Sequence, residues 1–348
     1  MSRKLASIQR VWDIIPIEGA DRIVIAAVLG WRCVVPKGQV NKGDLVVYYE
    51  IDSYLPIKPE YEFLRSSSYK NTPLMGEGFK IRTMKFKGQI SQGLVLPLST
   101  FGNLLDGMEV GTDVSELLGV RKWEVEERAT TGGTIIGTLD YRVPKTDETR
   151  VQAQPELIQE MNKDAYYITT KMDGSSHSVL FDGNLRIFSH NCELKFDDTS
   201  SFARYLKSRE LNQMIPMTAD LLYPRKTVVV QGEFCAPGIQ QNRLKLSKPE
   251  WYVFTLIVDG ERKPLMEMIE FCRAADLTMV PIEEYGTNFA LKYPTVEDVL
   301  KRADGDYPNG GKKEGIVVRP MEPVYCDLIG DYLSFKAVSN KYLLKNED

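Results

Sequence analysis

Short β-rich runs separated by glycine-containing turns dominate the first 125 residues, and this pattern limits the possible folds more than any other feature. Residues 24–28, 32–35 and 45–49 are rich in Val, Ala, Ile and Tyr, and Gly30 and Gly43 lie between them. Such runs are typical of strands, because an amphipathic helix would need apolar residues three and four positions apart. Many short strands with little helix predict a small barrel or a sandwich in this part of the chain.

The rest of the chain has a different pattern, which divides the sequence into two domains. Residues 126–149 are polar, and we interpret them as a linker. Residues 150–348 alternate strands with helical patterns such as 199–214 and 265–277. We therefore predict an α+β protein. A small β-barrel, for which an OB-like barrel is one option, forms from residues 1–125, and a mostly antiparallel sheet follows it.

Composition excludes several classes of protein. No two of the five cysteines form a C-x-x-C pair, so neither a structural zinc site nor a disulfide framework is expected. The only histidines are His177 and His190, so a histidine-based triad is not expected either. No apolar run reaches about 18 residues, and the first ten residues lack the apolar segment of a secretory signal. We therefore expect an intracellular protein with no membrane contact, in a compartment that the sequence does not specify. The net charge is −4, so nucleic-acid binding would depend on a local basic stripe.

The sharpest local feature is the K-M-D-G-S-S segment at residues 171–176, which follows a predicted strand at residues 165–170. Gly174 permits a tight turn, which would fix Lys171 at the end of a strand. A rigid scaffold presents a nucleophile in this way. A solvated lysine on a surface hairpin is the alternative interpretation of the same segment.

Four later strands carry polar residues that an ordinary sheet does not require. They lie at residues 228–234, 251–255, 313–319 and 332–336. Taken singly, each is typical of a strand with a charge at its edge. Their order and separation, together with residues 171–174, resemble the covalent nucleotidyltransferase superfamily, which contains ATP-dependent ligases and mRNA capping enzymes. This resemblance covers roughly residues 145–340.

The order of the domains narrows the resemblance. A β-rich domain precedes the catalytic strands, and the chain ends soon after the last of them, as in the RNA ligase family typified by the Deinococcus radiodurans and Naegleria gruberi enzymes. Residues 146–152 are also similar to that family. The resemblance implies an N-terminal OB fold in residues 1–125 and a nucleotidyltransferase domain of the ATP-grasp-like ligase type in residues 150–348.

The resemblance also implies an activity. The protein would use ATP with Mg²⁺ or Mn²⁺ to seal 3′-OH and 5′-phosphate ends of RNA, above all at nicks in a duplex, through lysyl-AMP and RNA-adenylate intermediates. A DNA ligase and a capping guanylyltransferase are alternatives among enzymes. A non-catalytic nucleic-acid-binding protein with the same fold is an alternative from another class. No obligate protein partner is evident from the sequence.

The family's functional positions can be assigned to residues of this sequence. The implied catalytic residues are Lys171, Asp173 and Lys336. The implied ATP-binding residues are Arg150, Gln152, Thr170, Gly174, Glu233, Phe254, Glu314, Val317 and Lys341. The implied metal ligands, partly through water, are Asp173, Glu233 and Glu314.

At two positions this sequence lacks a basic residue that many relatives carry, so its role is assigned to another residue of this chain. Residues 189–191 read S-H-N where many relatives carry an arginine that holds the ribose, so Arg150 or Gln152 is expected to contact the sugar. Ser334 stands where a second basic residue is common, so Lys341 is the candidate for the second cation beside Lys336.

The chemistry of a lysine nucleophile explains why carboxylates and a cation would occur together. A free lysine has a pKa of about 10.4, so only about one in a thousand is neutral at pH 7.5. An unopposed carboxylate beside Lys171 would raise that pKa further. Asp173, Glu233 and Glu314 are therefore expected mainly as ligands of a divalent cation, which offsets their charge.

A basic segment at residues 79–88 is the candidate contact for nucleic acid. It carries Lys80, Arg82, Lys85 and Lys87, two phenylalanines and no acidic residue. On one strand, this alternation would turn cations toward phosphates. A strand edge protected by lysines is the competing interpretation.

Overall fold

The computed structural model describes residues 3–124 and 132–346, which form two compact units. Within the described residues, the first unit contains 3–124, 152–155 and 343–346, and the second contains 132–151 and 156–342. Of the predicted linker, residues 126–131 lie outside the described residues, and the remainder belongs to the second unit. No helix in the described part of the chain is long and apolar enough to cross a membrane.

The first unit is built almost entirely of strands. Its strands are Ala6–Pro16 (β1), Ile23–Val28 (β2), Trp31–Pro36 (β3), Leu45–Tyr49 (β4), Ser53–Leu55 (β5), Tyr69–Thr72 (β6), Gly76–Lys80 (β7), Thr83–Phe86 (β8), Gln89–Gln92 (β9), Leu94–Pro97 (β10) and Arg121–Lys122 (β11). Its helices are Arg65–Ser68 (α1) and Ser115–Leu118 (α2), with 3-10 turns at Pro59–Leu64 and Leu98–Phe101.

A bend in β1 gives the first unit its barrel shape. The first half of β1 pairs with β4 and the second half with β2, and a bulge between Val11 and Asp13 separates the two halves. A bulge bends a strand and increases its twist, so β1 can serve two neighbours in one sheet. The resulting antiparallel order is β10-β4-β1-β2-β3, and a second sheet has the order β11-β5-β7-β6. Tyr49, Tyr61 and Phe79 fill the core beneath them.

The second unit mixes helices with longer strands. Its strands are Ile135–Thr138 (β12), Tyr166–Lys171 (β13), Ser175–Phe181 (β14), Leu185–Phe188 (β15), Cys192–Leu194 (β16), Val228–Cys235 (β17), Glu250–Val258 (β18), Glu261–Arg262 (β19), Ile282–Gly286 (β20), Gly315–Pro320 (β21), Tyr325–Cys326 (β22), Asp331–Tyr332 (β23) and Phe335–Val338 (β24). Its helices are Leu157–Glu160 (α3), Ser201–Ser208 (α4), Leu211–Leu222 (α5), Leu265–Ala274 (α6), Phe289–Lys292 (α7) and Val296–Ala303 (α8), with a 3-10 turn at Met161–Lys163. The last helix, Asn340–Asn346 (α9), begins in the second unit, and residues 343–346 are grouped with the first.

Two large antiparallel sheets form most of the second unit, and β22 and β23 pair separately as a two-stranded sheet. The larger has the order β12-β16-β15-β14-β17-β18-β19, and the smaller has the order β20-β13-β21-β24. β13 belongs to the smaller sheet and β14 to the larger, so residues 172–174 pass directly from one sheet to the other. The core on the larger sheet centres on Phe202, Phe234 and Trp251, whose rings pack edge to face.

Three elements differ from the sequence-based expectation. The predicted helix at 199–214 is two helices, because Glu210 takes a left-handed conformation with a φ of 56° that interrupts the helical path. The predicted strand at 332–336 is broken at residues 333–334, which separate β23 from β24. The single basic strand predicted at 79–88 is wrong, since β7 ends at Lys80 and β8 starts at Thr83.

A buried ion pair connects residues 144–150 to the smaller sheet of the second unit. Arg319 on β21 donates from Nη2 to Glu148 Oε1 at 2.5 Å, and the Ser334 hydroxyl donates to the same carboxylate. Burial favours the neutral acid, but the charges of Arg319 and Arg262 lower the pKa of Glu148 to about 2. The carboxylate is therefore charged at neutral pH and holds the chain beside β21 and β24.

We predict that Glu148→Gln lowers the free energy of unfolding by about 3 kcal/mol at neutral pH, because Arg319 stays buried without its counter-charge. The folded pKa of Glu148 is about 2, below the roughly 4.3 of an unfolded chain. The stabilisation is therefore complete above about pH 5 and is lost as the pH falls toward 2. Urea unfolding at several pH values measures it.

Glu322→Gln, at an exposed position of the same unit, is the matched control and should leave stability unchanged. The difference between wild type and Glu148→Gln should narrow as the pH falls below about 5. A difference that stays constant down to about pH 3 would contradict the ion-pair account.

Candidate active site

A cavity in the second unit opens where β13 leaves the smaller sheet. Its walls combine cationic, acidic and apolar side chains. The lining residues are Thr146, Asp147, Glu148, Thr169, Thr170, Lys171, Met172, Ser176, His190, Glu233, Phe254, Val280, Val317, Arg319 and Lys336.

Lys171 is the last residue of β13, and its ammonium group forms an ion pair inside the site. Its Nζ atom lies 2.8 Å from Glu314 Oε2, and the two side chains are 23% and 16% exposed. Burial alone would lower the pKa of Lys171, but the negative charges of Glu314 and Glu233 outweigh burial and raise it. Lys171 is therefore held in its protonated form by the carboxylates around it.

Backbone contacts fix Lys171 and Glu314 beside each other. Lys171 pairs with Gly315 across β13 and β21. The Tyr307 hydroxyl donates to the Lys171 carbonyl at 2.8 Å and accepts from the Glu314 backbone N–H at 3.1 Å. A Cβ atom on Gly315 would collide with the Ala337 carbonyl, so a larger residue there would push β21 away from β24.

Gly174 is required by space. A Cβ atom at this position would lie 2.6 Å from the Phe234 carbonyl and 2.7 Å from Cys235 Sγ. Its φ is not among the positive values of the described residues, so close approach to β17, not a left-handed turn, explains the glycine. This proximity lets the Gly174 N–H donate to Glu233 Oε1 at 3.2 Å.

Three acidic side chains surround Lys171. Burial raises the pKa of Glu233 to about 7 against the opposing attraction of Lys171, and the charges of Glu314 and Asp173 add to the increase. Burial and the charge of Glu314 also raise the pKa of Asp173. Mutual repulsion of this kind is relieved when a cation binds among the carboxylates.

Asp173 is fixed by two neighbours from distant parts of the sequence. The Tyr342 hydroxyl donates to Asp173 Oδ1 at 2.8 Å, and Arg243 Nη1 lies 3.5 Å from Oδ2. The buried Oδ2 atom has no hydrogen-bond partner among the described residues. Carboxylate oxygens are the ligands that Mg²⁺ and Mn²⁺ prefer, so the donor chemistry of Asp173, Glu233 and Glu314 fits such an ion. Among the described residues, no group of three or more His, Cys, Asp or Glu side chains is arranged to hold a metal ion by itself.

Lys336 supplies a second ammonium group on the cavity wall. It lies on β24 opposite Val317, and its backbone exchanges hydrogen bonds with Thr149 and Val151 at 2.8 and 3.0 Å. Burial, together with the positive charges of Lys171 and Arg150, lowers the pKa of Lys336 to about 8. The lysine on β24, not the one on β13, therefore has the lowered pKa.

Part of the cavity lining is apolar. It consists of Met172, Phe254, Val280 and Val317. The Arg319 guanidinium lies 5.7 Å from the centre of the Phe254 ring and donates to the Phe254 carbonyl at 2.5 Å, which fixes the position of the ring. A planar aromatic group could stack in this space with its charged substituent directed toward Lys171 and Lys336.

The structure brings most of the predicted site residues together. Those that line the cavity are Thr170, Lys171, Glu233, Phe254, Val317 and Lys336. Three more lie next to these residues. Glu314 accepts a hydrogen bond from Lys171, the Gly174 N–H donates to Glu233, and the charge of Asp173 interacts with that of Lys171. Arg150 forms a backbone bridge with Lys336.

Two predicted residues lie elsewhere. Lys341 is exposed and forms an ion pair with Asp304 at 3.0 Å, outside the cavity. The cations whose charges lower the pKa of Lys336 are instead Lys171 and Arg150. Gln152 belongs to the first unit and is fully buried there. Its backbone carbonyl accepts a hydrogen bond from the Gly30 N–H at 2.8 Å.

Several lining residues were not singled out from the sequence. His190 and Asp147 lie 3.4 Å apart at the cavity wall, and Arg319 holds the Phe254 ring. Arg319 ends the E-G-I-V-V-R strand, so the sequence contained a signal for it. Tyr307 and Arg243 come from irregular loops, where no periodic pattern indicates a role.

The basic segment of the first unit folds into two parts. Lys80 ends β7 with its ammonium group 5.2 Å from the centre of the Trp123 ring. Arg82 follows, and donates to the Ser67 carbonyl at 3.5 Å. Lys85 and Lys87 are exposed on the β8–β9 hairpin, and Lys87 adopts a left-handed φ of 47° at its turn.

Comparison with known proteins gives a consistent result for both parts of the chain. Residues 5–98 match a family model for an OB-fold domain, and residues 164–338 match the RNA ligase model. A search of curated proteins gave no match.

Solved structures of one enzyme resemble the whole chain. Naegleria gruberi RNA ligase with PPi is 31% identical and matches with a TM-score of 0.86 over 100% of both chains. A lysine-to-methionine variant of that enzyme with AMP and Mn is also 31% identical, with a TM-score of 0.88 over 99% of this chain and 100% of that one. A glutamate-to-alanine variant with ATP and Mn has a TM-score of 0.86, with the same identity and the same coverage.

These matches confirm the predicted α+β fold class, with an OB-fold half-barrel followed by an antiparallel-sheet ligase domain. The RNA ligase model covers half of the sequence, and the solved relative matches it from end to end. This chain belongs to the RNA ligase family, whose members are nucleotidyltransferase enzymes.

Proposed function

We propose that the protein is an ATP-dependent ligase that joins a 3′-OH end of RNA to a 5′-phosphate end, preferentially at nicks in a duplex. The observation that carries this proposal is the position of Lys171. It lies at a strand end inside a cavity that also contains a second lysine, three nearby carboxylates and an aromatic wall. The titles of the similar Naegleria gruberi structures name ATP, AMP, PPi and Mn as bound groups, which supports the same ligands here.

The proposed ATP position follows from the charges of the cavity. The adenine ring stacks on Phe254, and Val317 closes its other face. Arg150 contacts the sugar, and Lys336 faces the α-phosphate as negative charge develops there. Thr170 lines the cavity from β13, and Gly174 lies in the turn that follows Lys171. Gln152 and Lys341 remain candidates on sequence grounds alone.

In the first step, the neutral Nζ atom of Lys171 attacks the α-phosphorus of ATP. Lys171 first gives its ammonium proton to water. A P–N bond then forms, the bond between the α-phosphorus and the bridging oxygen breaks, pyrophosphate leaves with that electron pair, and Nζ releases a second proton to water. Asp173, Glu233 and Glu314 would hold Mg²⁺ or Mn²⁺, partly through water, and the ion's positive charge would offset theirs and that of the phosphate. Once the negative charge of Glu314 is offset, Lys171 becomes easier to deprotonate, because the carboxylate no longer stabilises its ammonium form as strongly.

Two further transfers complete the proposed reaction. A 5′-phosphate oxygen of RNA attacks the phosphorus of lysyl-AMP, the P–N bond breaks, and AMP passes to the RNA end. The 3′-OH of the adjoining strand then attacks the 5′-phosphate, a phosphodiester forms, and AMP leaves. Lys336 faces the phosphate in each transfer and stabilises the charge that develops on it.

Covalent labelling tests the proposal. We predict that the protein incubated with Mg²⁺ or Mn²⁺ and ATP labelled at the α-phosphate gives a labelled band on a denaturing gel, and that Lys171→Met gives none. The variant lacks the only group proposed to bond to phosphorus, so its loss should be complete. Labelled GTP should give no band, since a band from GTP would favour a capping guanylyltransferase.

The matched control is Lys163→Met, which removes an exposed lysine that pairs with Glu160 outside the cavity. It should label like the wild type. Protein already adenylylated during purification is first treated with pyrophosphate, which reverses the reaction. A labelled Lys171→Met band would overturn the proposed nucleophile, and an unlabelled wild type after this treatment would overturn the ligase proposal.

We predict that Lys85→Ala/Lys87→Ala binds nicked duplex RNA about tenfold more weakly than the wild type, because two exposed cations no longer neutralise phosphates. The slope of log K against log salt should fall by about 2. Enzyme adenylylation should stay unchanged. Fluorescence anisotropy at several salt concentrations measures the binding.

Lys4→Ala/Lys42→Ala removes the same charge from the same unit and serves as the control. Lys42 pairs with Asp13 at 3.4 Å and Lys4 donates to the Gly111 carbonyl at 2.7 Å, so neither ammonium group is as available to phosphates. Equal effects of the two double variants would show that overall charge, not the hairpin, determines RNA binding.

A further inference from the structure

Glu283 occupies a bulge in the strand beside the proposed nucleophile. In the β13–β20 pairing, Ile168 lies opposite Glu284 and Thr169 lies opposite Ile282, so Glu283 is the extra residue. A β-bulge changes the direction of the side chain it carries, and such bulges are common beside active sites. The bulge therefore gives Glu283 a direction that a regular strand would not.

The Glu283 carboxylate accepts four hydrogen bonds from three residues that are distant in sequence from one another or from Glu283. It accepts from the Thr170 hydroxyl at 2.7 Å and from Arg302 on α8 at 2.6 Å. Lys313 Nζ donates to both of its oxygens, at 2.7 and 2.8 Å. The side chains of Glu283 and Lys313 are 17% and 6% exposed, so this is a largely desolvated network.

Two of these partners are adjacent in sequence to residues of the site. Thr170 directly precedes Lys171, and Lys313 directly precedes Glu314. One carboxylate therefore ties together the two backbone segments that carry the ion-paired side chains. Neither Glu283 nor Lys313 lines the cavity, so both can act only through their neighbours.

We propose that Glu283 is a positioning residue for nucleotidyl transfer, which sets the distance between the Lys171 segment and the Glu314 segment. The inference rests on the proposed function. Glu283 touches neither nucleotide nor metal. Its carboxylate resists relative sliding of β13 and β21 at the point where Lys171 must reach the α-phosphorus. Misplacement of a reacting group by about 1 Å can cost a factor of about 100 in rate.

The next residue along the same strand provides a matched control. Glu284 is also largely buried, and accepts from the Tyr166 hydroxyl at 2.7 Å and from the Tyr293 hydroxyl at 2.9 Å. It also pairs with Lys292 at 2.8 Å and with Arg302 at 3.6 Å, and Arg302 is the one partner that it shares with Glu283. Removing its charge breaks a network of similar size in the same sheet, but none of these four partners adjoins Lys171 or Glu314.

The experiment compares wild type, Glu283→Gln and Glu284→Gln in single-turnover adenylylation with labelled ATP, beside thermal unfolding. For Glu283→Gln we expect the rate constant at saturating ATP to fall about 100-fold while the KM for ATP stays within about threefold. Glu284→Gln should lose stability to a similar extent and retain the wild-type rate constant. A purely structural role would not separate the two variants in this way.

A double variant keeps the test decisive if Glu283→Gln folds poorly. Glu283→Gln/Lys313→Met removes both charges, which is better tolerated than leaving one buried charge unpaired. It should fold and still show the reduced rate constant. Equal rate constants for the Glu283 and Glu284 variants, or a loss confined to KM, would overturn the positioning role. A wild type that forms no adduct would overturn the proposed function itself, and the inference with it.

Discussion

The ion pair between Lys171 and Glu314 is the interaction around which the candidate active site is arranged. It forms at the end of β13, where the chain crosses from the smaller sheet to the larger one. Residues with no charge of their own serve this pair: Gly315 lets β21 approach β24, and Tyr307 joins the two backbones by hydrogen bonds. The fold thus places a lysine among carboxylates at a position where a stable protein would gain more from apolar packing.

The charges of this arrangement are not balanced in the ligand-free site. Burial raises the pKa of Glu233 to about 7, and the surrounding carboxylates keep Lys171 protonated. In the proposed function, a divalent cation and the phosphates of a nucleotide would change both conditions, because the cation would offset the carboxylates and the phosphates would lie near Lys336 and Arg150. The same charges that make the ligand-free site costly are therefore the ones that ligand binding uses.

From the sequence, the site residues on or beside strands could be identified, but those in loops and in the last helix could not. Lys171, Glu233, Glu314 and Lys336 could be assigned because the strand motifs that carry them resemble, in their order and separation, those of the nucleotidyltransferase superfamily. Tyr307, Arg243 and Tyr342 come from irregular segments or a terminal helix, and only the tertiary fold brings them to the site. The basic stretch at residues 79–88 misled the strand prediction, because alternation in sequence cannot show that the strand stops at Lys80.

The central claim is that carboxylates raise the pKa of Lys171 until a cation offsets them. Carbon-13 labelling of the lysine side chains, with Lys171→Met to assign the signal, lets NMR follow the titration of Lys171 in metal-free protein and in protein with Mg²⁺. The account predicts a midpoint above the ordinary value of 10.5 without metal and a lower midpoint when Mg²⁺ is bound. A metal-free midpoint below 10.5, or one that Mg²⁺ leaves unchanged, would contradict it.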